Sequence, residues 1–347
     1  MRNRSNLGLR GAFVGLSIMA AACGAEAESP IVDSTGSSSI DYALHLDQGD
    51  VQPGPIPVFR FTEVATFATT VAASGDAADV YYPVADDFWS HFKLRFPVVV
   101  LLQGGRTDKV HYSSFASEVA RFGFVVIVPN HLRMFGPPPA VPLTEQEVFL
   151  DAFAHVKAEG VSSASPLYQR VDGSRLGLLG HSFGGITSLR IIEGSCISPI
   201  CTTGTFTRPA ELKAAALYGT HLVDVATQTA IPIDTSVVPL ALVQGSLDGR
   251  SLAGYADMTY AELEAPKAII SIVGANHFGS TNTNAPAGAG VDPAPQTISQ
   301  QDSIERSAAW SALFLRTHVL HDLIARWYIY HSGGSMDGSV TVTSARR

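Results

Sequence analysis

Residues 180–185, with the sequence G-H-S-F-G-G, constrain the fold of this chain most. They lie between residues 175–179, whose apolar pattern predicts a strand, and residues 183–193, which predict a helix. A sharp strand-to-helix turn leaves room only for glycine on either side of the serine. Such a turn would lift the Ser182 hydroxyl above a sheet and aim the Phe183 amide at a developing negative charge. A chance match is the alternative, because the chain has 31 glycines, but the flanking strand and helix argue against it.

A serine at its ordinary pKa is a weak nucleophile, so a nearby histidine and carboxylate are needed to activate it. Asp248 follows a predicted strand at 238–243, and His277 follows the last predicted strand at 267–273. Both would lie at the carboxyl ends of parallel strands, where open α/β sheets place their sites. The sequence therefore predicts a catalytic triad of Ser182, Asp248 and His277.

Other residues compete for two of these roles. Asp248 precedes a glycine and could simply form a turn, and Asp224 is the main rival acid. The histidines that fit the chain order or the element boundaries less well than His277 are His221, His318 and His321.

A second donor to the negative charge, besides the Phe183 amide, should come from the loop after the first buried strand. This loop is residues 103–106, and we expect the amide of Gly105 to be that donor, unless its glycines only make a tight turn. Arg106 is a candidate for the mouth of the site. Tyr218, Phe183 and Phe278 are candidate apolar walls for substrate, or else ordinary core aromatics.

The spacing of His111, His131 and His155 is not that of a metal site, so we expect neither a metal nor a cofactor. The net charge of −8 gives no basic surface for nucleic acid. We expect a small-molecule or polymeric substrate and a monomeric protein.

Predicted strands and helices alternate along the chain, which indicates an α/β fold with a mostly parallel central sheet and helices on both faces. The remaining elements are strand-like stretches at 58–73 and 77–84, buried strands at 96–102 and 124–129, a strand at 212–217, and helices at 112–122, 144–159 and 301–330. Thr144 and Glu147 have the spacing of a capping box at the start of the helix at 144–159. We expect one domain over residues 58–332 and a flexible tail at 333–347.

The amino terminus resembles an export signal. Three arginines precede the apolar residues 11–22, a run too short to span a bilayer. The run ends in small residues before Cys23, as in the lipobox of bacterial lipoproteins, so we expect a signal at 1–22, lipidation of Cys23 and a flexible tether at 23–57. Plain secretion with cleavage near residues 22–27 and a retained anchor are the alternatives.

Acylation of Cys23 would leave Cys196 and Cys201, which could form a short disulfide in an oxidising compartment or remain two buried thiols.

Taken together, residues 101–109, 112–117, 121–131 and 180–185 resemble the α/β-hydrolase superfamily. Within it they are most similar to the branch of chlorophyllases, cutinase-like polyester hydrolases and platelet-activating-factor acetylhydrolases, and above all to bacterial chlorophyllase-like proteins. The resemblance implies cofactor-free hydrolysis of carboxylic esters with bulky or lipophilic parts. A binding lipoprotein that kept the fold without the activity is the alternative from another class.

Overall fold

The computed structural model describes residues 54–85, 93–134 and 138–346. Thirteen strands occur in this part of the chain. In chain order they are β1 (Glu63–Thr70), β2 (Ala77–Val84), β3 (Phe96–Leu102), β4 (Val125–Asn130), β5 (Leu132–Arg133), β6 (Val141–Pro142), β7 (Val171–His181), β8 (Leu212–Tyr218), β9 (Val223–Asp224), β10 (Thr229–Ala230), β11 (Leu240–Gly245), β12 (Lys267–Ile272) and β13 (Val340–Ala345).

Nine of these strands form one sheet, in the order β1-β2-β4-β3-β7-β8-β11-β12-β13. The six strands from β4 to β12 in that order run parallel, and β1, β2 and β13 join by antiparallel pairing. Two short antiparallel pairs, β5 with β6 and β9 with β10, stand apart from it. Since parallel strands share one carboxyl edge, the loops after β3, β7, β8, β11 and β12 converge there.

Seven α-helices accompany the strands. They are α1 (Ser113–Arg121), α2 (Gln146–Val161), α3 (Phe183–Glu193), α4 (Ala253–Glu262), α5 (Gln300–Val319), α6 (Leu323–Trp327) and α7 (Gly333–Met336). A short 3₁₀ helix at Lys109–Tyr112 precedes α1, and a π-helical segment at Tyr328–Ser332 follows α6. None of the helices in the described ranges is long and apolar enough to cross a membrane.

Strand β3 shows why the sheet is covered on both faces. Val98, Val100 and Leu102 belong to one buried core, whereas Val99 and Leu101 belong to the other. This division follows from the period of two along a strand, which turns successive side chains to opposite faces. Residues of α1 and α5 pack in one core and residues of α2 and α3 in the other. Burial of each such valine or leucine side chain stabilises the folded state by about 1.5–3 kcal/mol. The parallel sheet with helices on both faces confirms the predicted α/β-hydrolase fold.

The predicted helix at 301–330 is wrong in its extent. Helix α5 ends at Val319, and His321 has a φ of 56°, which no helix residue adopts. Asp322 then caps α6 by accepting hydrogen bonds from the amides of Ile324 and Ala325. Its carboxylate also pairs with Arg316 at 2.6 Å, so the break is held by charge as well as by backbone geometry.

The capping box predicted from Thr144 and Glu147 does not form. Helix α2 begins one residue later than that box requires, with Glu145 as its cap and no side-chain capping bond. The Thr144 hydroxyl instead donates to Thr187 in α3, and Glu147 accepts hydrogen bonds from the loop at residues 202 and 203. Tertiary partners therefore outcompete the local motif.

The predicted flexible tail at 333–347 is also wrong over most of its length. Residues 333–336 form α7, and β13 pairs along its whole length with β12 as the edge strand of the sheet. At the other end, the signal at 1–22, Cys23 and the tether up to residue 53 lie outside the described residues. Of the rest of the predicted tether, Ile56 packs against the core.

Candidate functional site

Ser182 stands at the turn between β7 and α3, in a strained backbone conformation. Its φ of 51° and ψ of −116° lie in a region that only glycine adopts easily. The surrounding bonds hold it there, because its amide donates to the carbonyl of Tyr218 at 2.9 Å and its carbonyl accepts from the Thr220 hydroxyl at 3.1 Å. Backbone strain that the neighbouring structure enforces is typical of functional sites.

The glycines on either side of Ser182 are required by close packing. A Cβ at Gly180 would lie 2.6 Å from the Ser188 hydroxyl and 2.8 Å from the carbonyl oxygen of Gly184. A Cβ at Gly184 would overlap the carbonyl oxygen of Leu102 at the end of β3. The start of α3 therefore lies directly against the loop that follows β3, which brings the two sets of backbone amides together.

The structure brings Ser182, His277 and Asp248 into one hydrogen-bonded chain. The Nε2 atom of His277 lies 2.9 Å from Ser182 Oγ, and its Nδ1 lies 2.9 Å and 3.1 Å from the two carboxylate oxygens of Asp248. A carboxylate can only accept, so Nδ1 carries the proton and Nε2 is free to accept one from the serine. His277 and Asp248 are 4% and 5% exposed, which shields the pair from water.

The surroundings keep Asp248 ionised. Burial alone would raise its pKa, but His277 and the amides of Ser251 and Arg250 outweigh burial and hold the pKa below its usual value of 3.8. Those amides donate to Asp248 Oδ1 at 2.7 Å and 2.9 Å. The carboxylate is therefore fixed in orientation and charge beside the imidazole.

Two backbone amides are available beside the serine. In the loop after β3, the amide of Gly104 donates to the Tyr112 hydroxyl and the amide of Arg106 donates to the carbonyl of Pro142. Among the residues with described positions, the amides of Gly105 and Phe183 have no acceptor. A Cβ at Gly105 would lie 3.4 Å from Phe183 Cβ, so these two donors are neighbours.

The rival residues do not hydrogen-bond with Ser182, although His221 lies close enough to Asp248 and His277 for their charges to act on it. The carboxylate of Asp224 caps its own turn by accepting from the amides of Ala226 and Thr227. His318 bonds to the hydroxyl of Tyr330, and His221 packs its ring against Tyr255. Geometry thus favours Asp248 over Asp224 as the partner of His277.

Tyr218 and Phe278 are core aromatics, so the prediction that they form apolar walls for substrate is wrong. Each is only 2% exposed, and the Tyr218 hydroxyl donates to the carbonyl of Asn276 at 2.6 Å. They support the site from within the core and cannot line a surface open to substrate. Phe183 is partly exposed and Arg106 is exposed, with a φ of 62°, so both remain candidates for contact with substrate.

Sequence reasoning missed three residues that build the site. Tyr112 and His181 are buried beneath it and hydrogen-bond to each other at 2.8 Å. Asp292 binds the amide of His277 at 2.8 Å. His181 could have been found, since it stands beside the serine in the G-x-S-x-G motif, but nothing in the sequence around Asp292 predicts its contact.

The two remaining cysteines lie after α3 and are not part of the hydrogen-bonded chain of Ser182, His277 and Asp248. Cys196 and Cys201 form a disulfide with a Cα–Cα distance of 5.2 Å, in the loop after α3. In the same described part of the molecule, no group of three or more His, Cys, Asp or Glu side chains is arranged to hold a metal ion.

Comparison with known proteins gives two matches. The PETase family model, described as PET hydrolase-like, matches residues 54–202, which include Gly105, Ser182 and Phe183. A chlorophyllase type 0 from Chenopodium album is 26% identical over 175 residues, covering 47% of this chain. The match covers 43% of the chlorophyllase, so less than half of that relative is represented.

Proposed function

We propose that this chain, an α/β-hydrolase similar to the chlorophyllases and to the PET hydrolase-like family, is a serine hydrolase that cleaves carboxylic esters. The observation that carries the proposal is the hydrogen-bonded chain from Ser182 through His277 to Asp248. The two unpaired amides of Gly105 and Phe183 beside the serine support it, since ester cleavage requires donors to an oxyanion.

The proposed reaction has two halves. Ser182 Oγ attacks the ester carbonyl while His277 Nε2 takes its proton, and Asp248 stabilises the resulting imidazolium. The amides of Gly105 and Phe183 donate to the oxyanion. The tetrahedral intermediate collapses as His277 returns the proton to the leaving alcohol, which leaves an acyl group on Ser182. Water then attacks the acyl-enzyme with the same proton transfers and releases the acid.

The substrate class we propose is an ester with a bulky or lipophilic part. The names of the two matches, a PET hydrolase-like family and a chlorophyllase, support this. The partly exposed Phe183 ring and the exposed Arg106 at the rim of the site are the side chains we expect to contact such a substrate.

A fluorophosphonate probe tests the mechanism directly. We expect the wild type and Ser163→Ala to be labelled and Ser182→Ala not to be labelled. Ser163 is an exposed serine on the loop after α2 and serves as the matched control. Labelling that persists in Ser182→Ala would overturn the nucleophile, and a wild type that is neither labelled nor active would favour a binding role on a hydrolase fold.

A series of p-nitrophenyl esters of increasing acyl length then shows which esters the protein cleaves. A polyester film and chlorophyll are tested beside them. Turnover that rises with acyl length supports a lipophilic substrate. Turnover confined to acetyl esters would contradict it.

We further propose that the protein is exported and anchored through a lipid on Cys23. The disulfide between Cys196 and Cys201 supports export, because such bonds persist mainly in oxidising compartments. Metabolic labelling with a palmitate analogue should mark the wild type and not Cys23→Ser. Protein that is released unlabelled into the medium would instead indicate plain secretion.

A further inference from the structure

A chain of buried hydrogen bonds links the loop after β3 to the loop of His277, passing beneath Ser182. The Gly104 amide lies 2.8 Å from the Tyr112 hydroxyl, which lies 2.8 Å from His181 Nδ1. His181 Nε2 lies 2.9 Å from the carbonyl oxygen of His277. Tyr112 is 0% exposed and His181 1% exposed, so water does not compete for these bonds.

Each bond in this chain has a fixed direction. The carbonyl of His277 can only accept, so His181 Nε2 carries a proton. Neutral His181 then accepts at Nδ1 from the Tyr112 hydroxyl, whose oxygen accepts from the Gly104 amide. Burial, followed by the nearby His277, lowers the pKa of His181 to about 3, so the ring stays neutral over the range in which an esterase works.

The groups at the two ends of this series of hydrogen bonds are closely packed. A Cβ on Gly104 would lie 2.7 Å from His181 Nδ1 and 3.2 Å from the Tyr112 hydroxyl, so only glycine permits the approach. The rings of His181 and His277 have centroids 4.9 Å apart. Two of the hydrogen-bonded residues directly precede proposed catalytic groups in the sequence. Gly104 precedes Gly105, whose amide is a proposed oxyanion donor, and His181 precedes the nucleophile Ser182.

We propose that Tyr112 and His181 are positioning residues that hold the Gly105 amide, the nucleophile turn and the loop of His277 in one fixed geometry. This inference rests on the proposed ester hydrolysis and extends it to two buried residues that touch no substrate. Preorganised donors stabilise an oxyanion because they need not reorient during the reaction. Loss of the Tyr112 hydroxyl leaves the Gly104 amide and His181 Nδ1 unpaired and frees the loop to move.

The test compares Tyr112→Phe with Tyr330→Phe. Tyr330 is the matched control, because its hydroxyl also bonds to a histidine, His318, at 2.9 Å but far along the chain from the site. We expect Tyr112→Phe to lower kcat about 10- to 100-fold with little change in KM. Tyr330→Phe should keep the wild-type kcat even where its melting temperature falls.

A trifluoromethyl ketone separates positioning from general destabilisation, because its adduct with the serine carries an oxyanion. Its inhibition constant should rise by the same factor as kcat/KM falls in Tyr112→Phe. His181→Phe breaks the same chain, so its effect should not add to that of Tyr112→Phe in the double variant. His181→Phe also decides the question alone if Tyr112→Phe does not fold.

Three outcomes would each overturn the inference while leaving the proposed function intact. They are a wild-type kcat in Tyr112→Phe, an unchanged inhibition constant in that variant, and additive effects of the two substitutions. A wild type that hydrolyses no ester would overturn the proposed function, and the inference with it.

Discussion

Asp292 accepts a hydrogen bond from the backbone amide of His277 at 2.8 Å, so a second carboxylate fixes the loop that carries the proposed base. Its other oxygen accepts from the amide of Gly249 at 3.1 Å, directly after Asp248. The loops that present Asp248 and His277 lie beyond the ends of β11 and β12, where no strand pairing holds them. Asp292 therefore joins the two loops beside the hydrogen bond by which Asp248 orients His277.

We expect Asp292→Ala to lower kcat/KM about 10-fold or more, because a displacement of the catalytic groups by up to about 1 Å slows the reaction strongly. It should also lower stability by about 1–3 kcal/mol, since it leaves amides unpaired. Asp322→Ala is the control, because that carboxylate caps α6 and binds Arg316 away from the site. Ester kinetics and thermal unfolding measure both effects; equal loss of kcat/KM in the two variants would contradict the role of Asp292.

Asp248→Asn should reduce kcat by roughly four orders of magnitude, because an amide no longer holds His277 in the right tautomer or stabilises its positive charge. The fold should stay intact, as circular dichroism can verify. Asp224→Asn is the matched control, since Asp224 only caps a turn. Should Asp224→Asn lose activity while Asp248→Asn keeps it, the acid of the proposed triad would have to be reassigned.

The parallel strands and the nucleophile turn could be predicted from the sequence because their physical requirements are local. A strand buried on both faces, such as β3, has an unbroken apolar run, and the turn at Ser182 admits only glycine at its flanks. The chain order of Asp248 and His277 followed from the order of the strands that they end. Each of these features depends on residues close together in the chain.

The positions that sequence could not predict depend on partners far along the chain. Asp292 lies 15 residues from His277 and 43 residues from Gly249, in a segment rich in glycine, alanine and proline with no periodic pattern. Tyr112 and His181 are 69 residues apart. The prediction of a flexible tail is wrong because glycines near its start indicate flexibility, whereas the alternating V-T-V-T of β13 fits a half-buried edge strand.

The disulfide should matter for stability and little for activity. Removing the bond with Cys196→Ser and Cys201→Ser together should lower the free energy of unfolding by about 2 kcal/mol or less, because the loop it closes is short. The loop also anchors α2 through Gln146, whose amide donates to the carbonyl of Ile200 at 2.8 Å. Intact-mass analysis of the exported protein without reductant should show two hydrogens fewer than the reduced protein. The reduced mass in that sample would contradict the bond.

The ion pair between His131 and Asp76 should make stability depend on pH. Nδ1 of His131 lies 3.0 Å from the Asp76 carboxylate at the base of the loop after β4, with Glu145 and Arg133 also near the ring. The hydrogen bond with Asp76 raises the pKa of His131 above its usual 6.5, against the opposing effect of burial. Burial would raise the pKa of Asp76, but His131 and Ser74 lower it below 3.8.

A raised histidine pKa means that the folded state binds the proton more tightly than the unfolded state. The stabilisation by His131 is therefore complete below pH 6.5 and is lost as the pH rises through the raised value. The stabilisation by Asp76 is complete above pH 3.8 and is lost as the pH falls through its lowered pKa. The pair should thus stabilise most between about pH 4 and 6.5.

Thermal unfolding of the wild type and His131→Asn from pH 5 to pH 9 tests this. We expect the wild type to melt about 2 °C higher at pH 5, which corresponds to a contribution of roughly 0.5–1 kcal/mol from a half-buried pair. That difference should shrink as the pH rises towards 9. Asp76→Asn should show the same trend, because it removes the other partner. A difference that stays constant, or that grows with pH, would contradict the pairing.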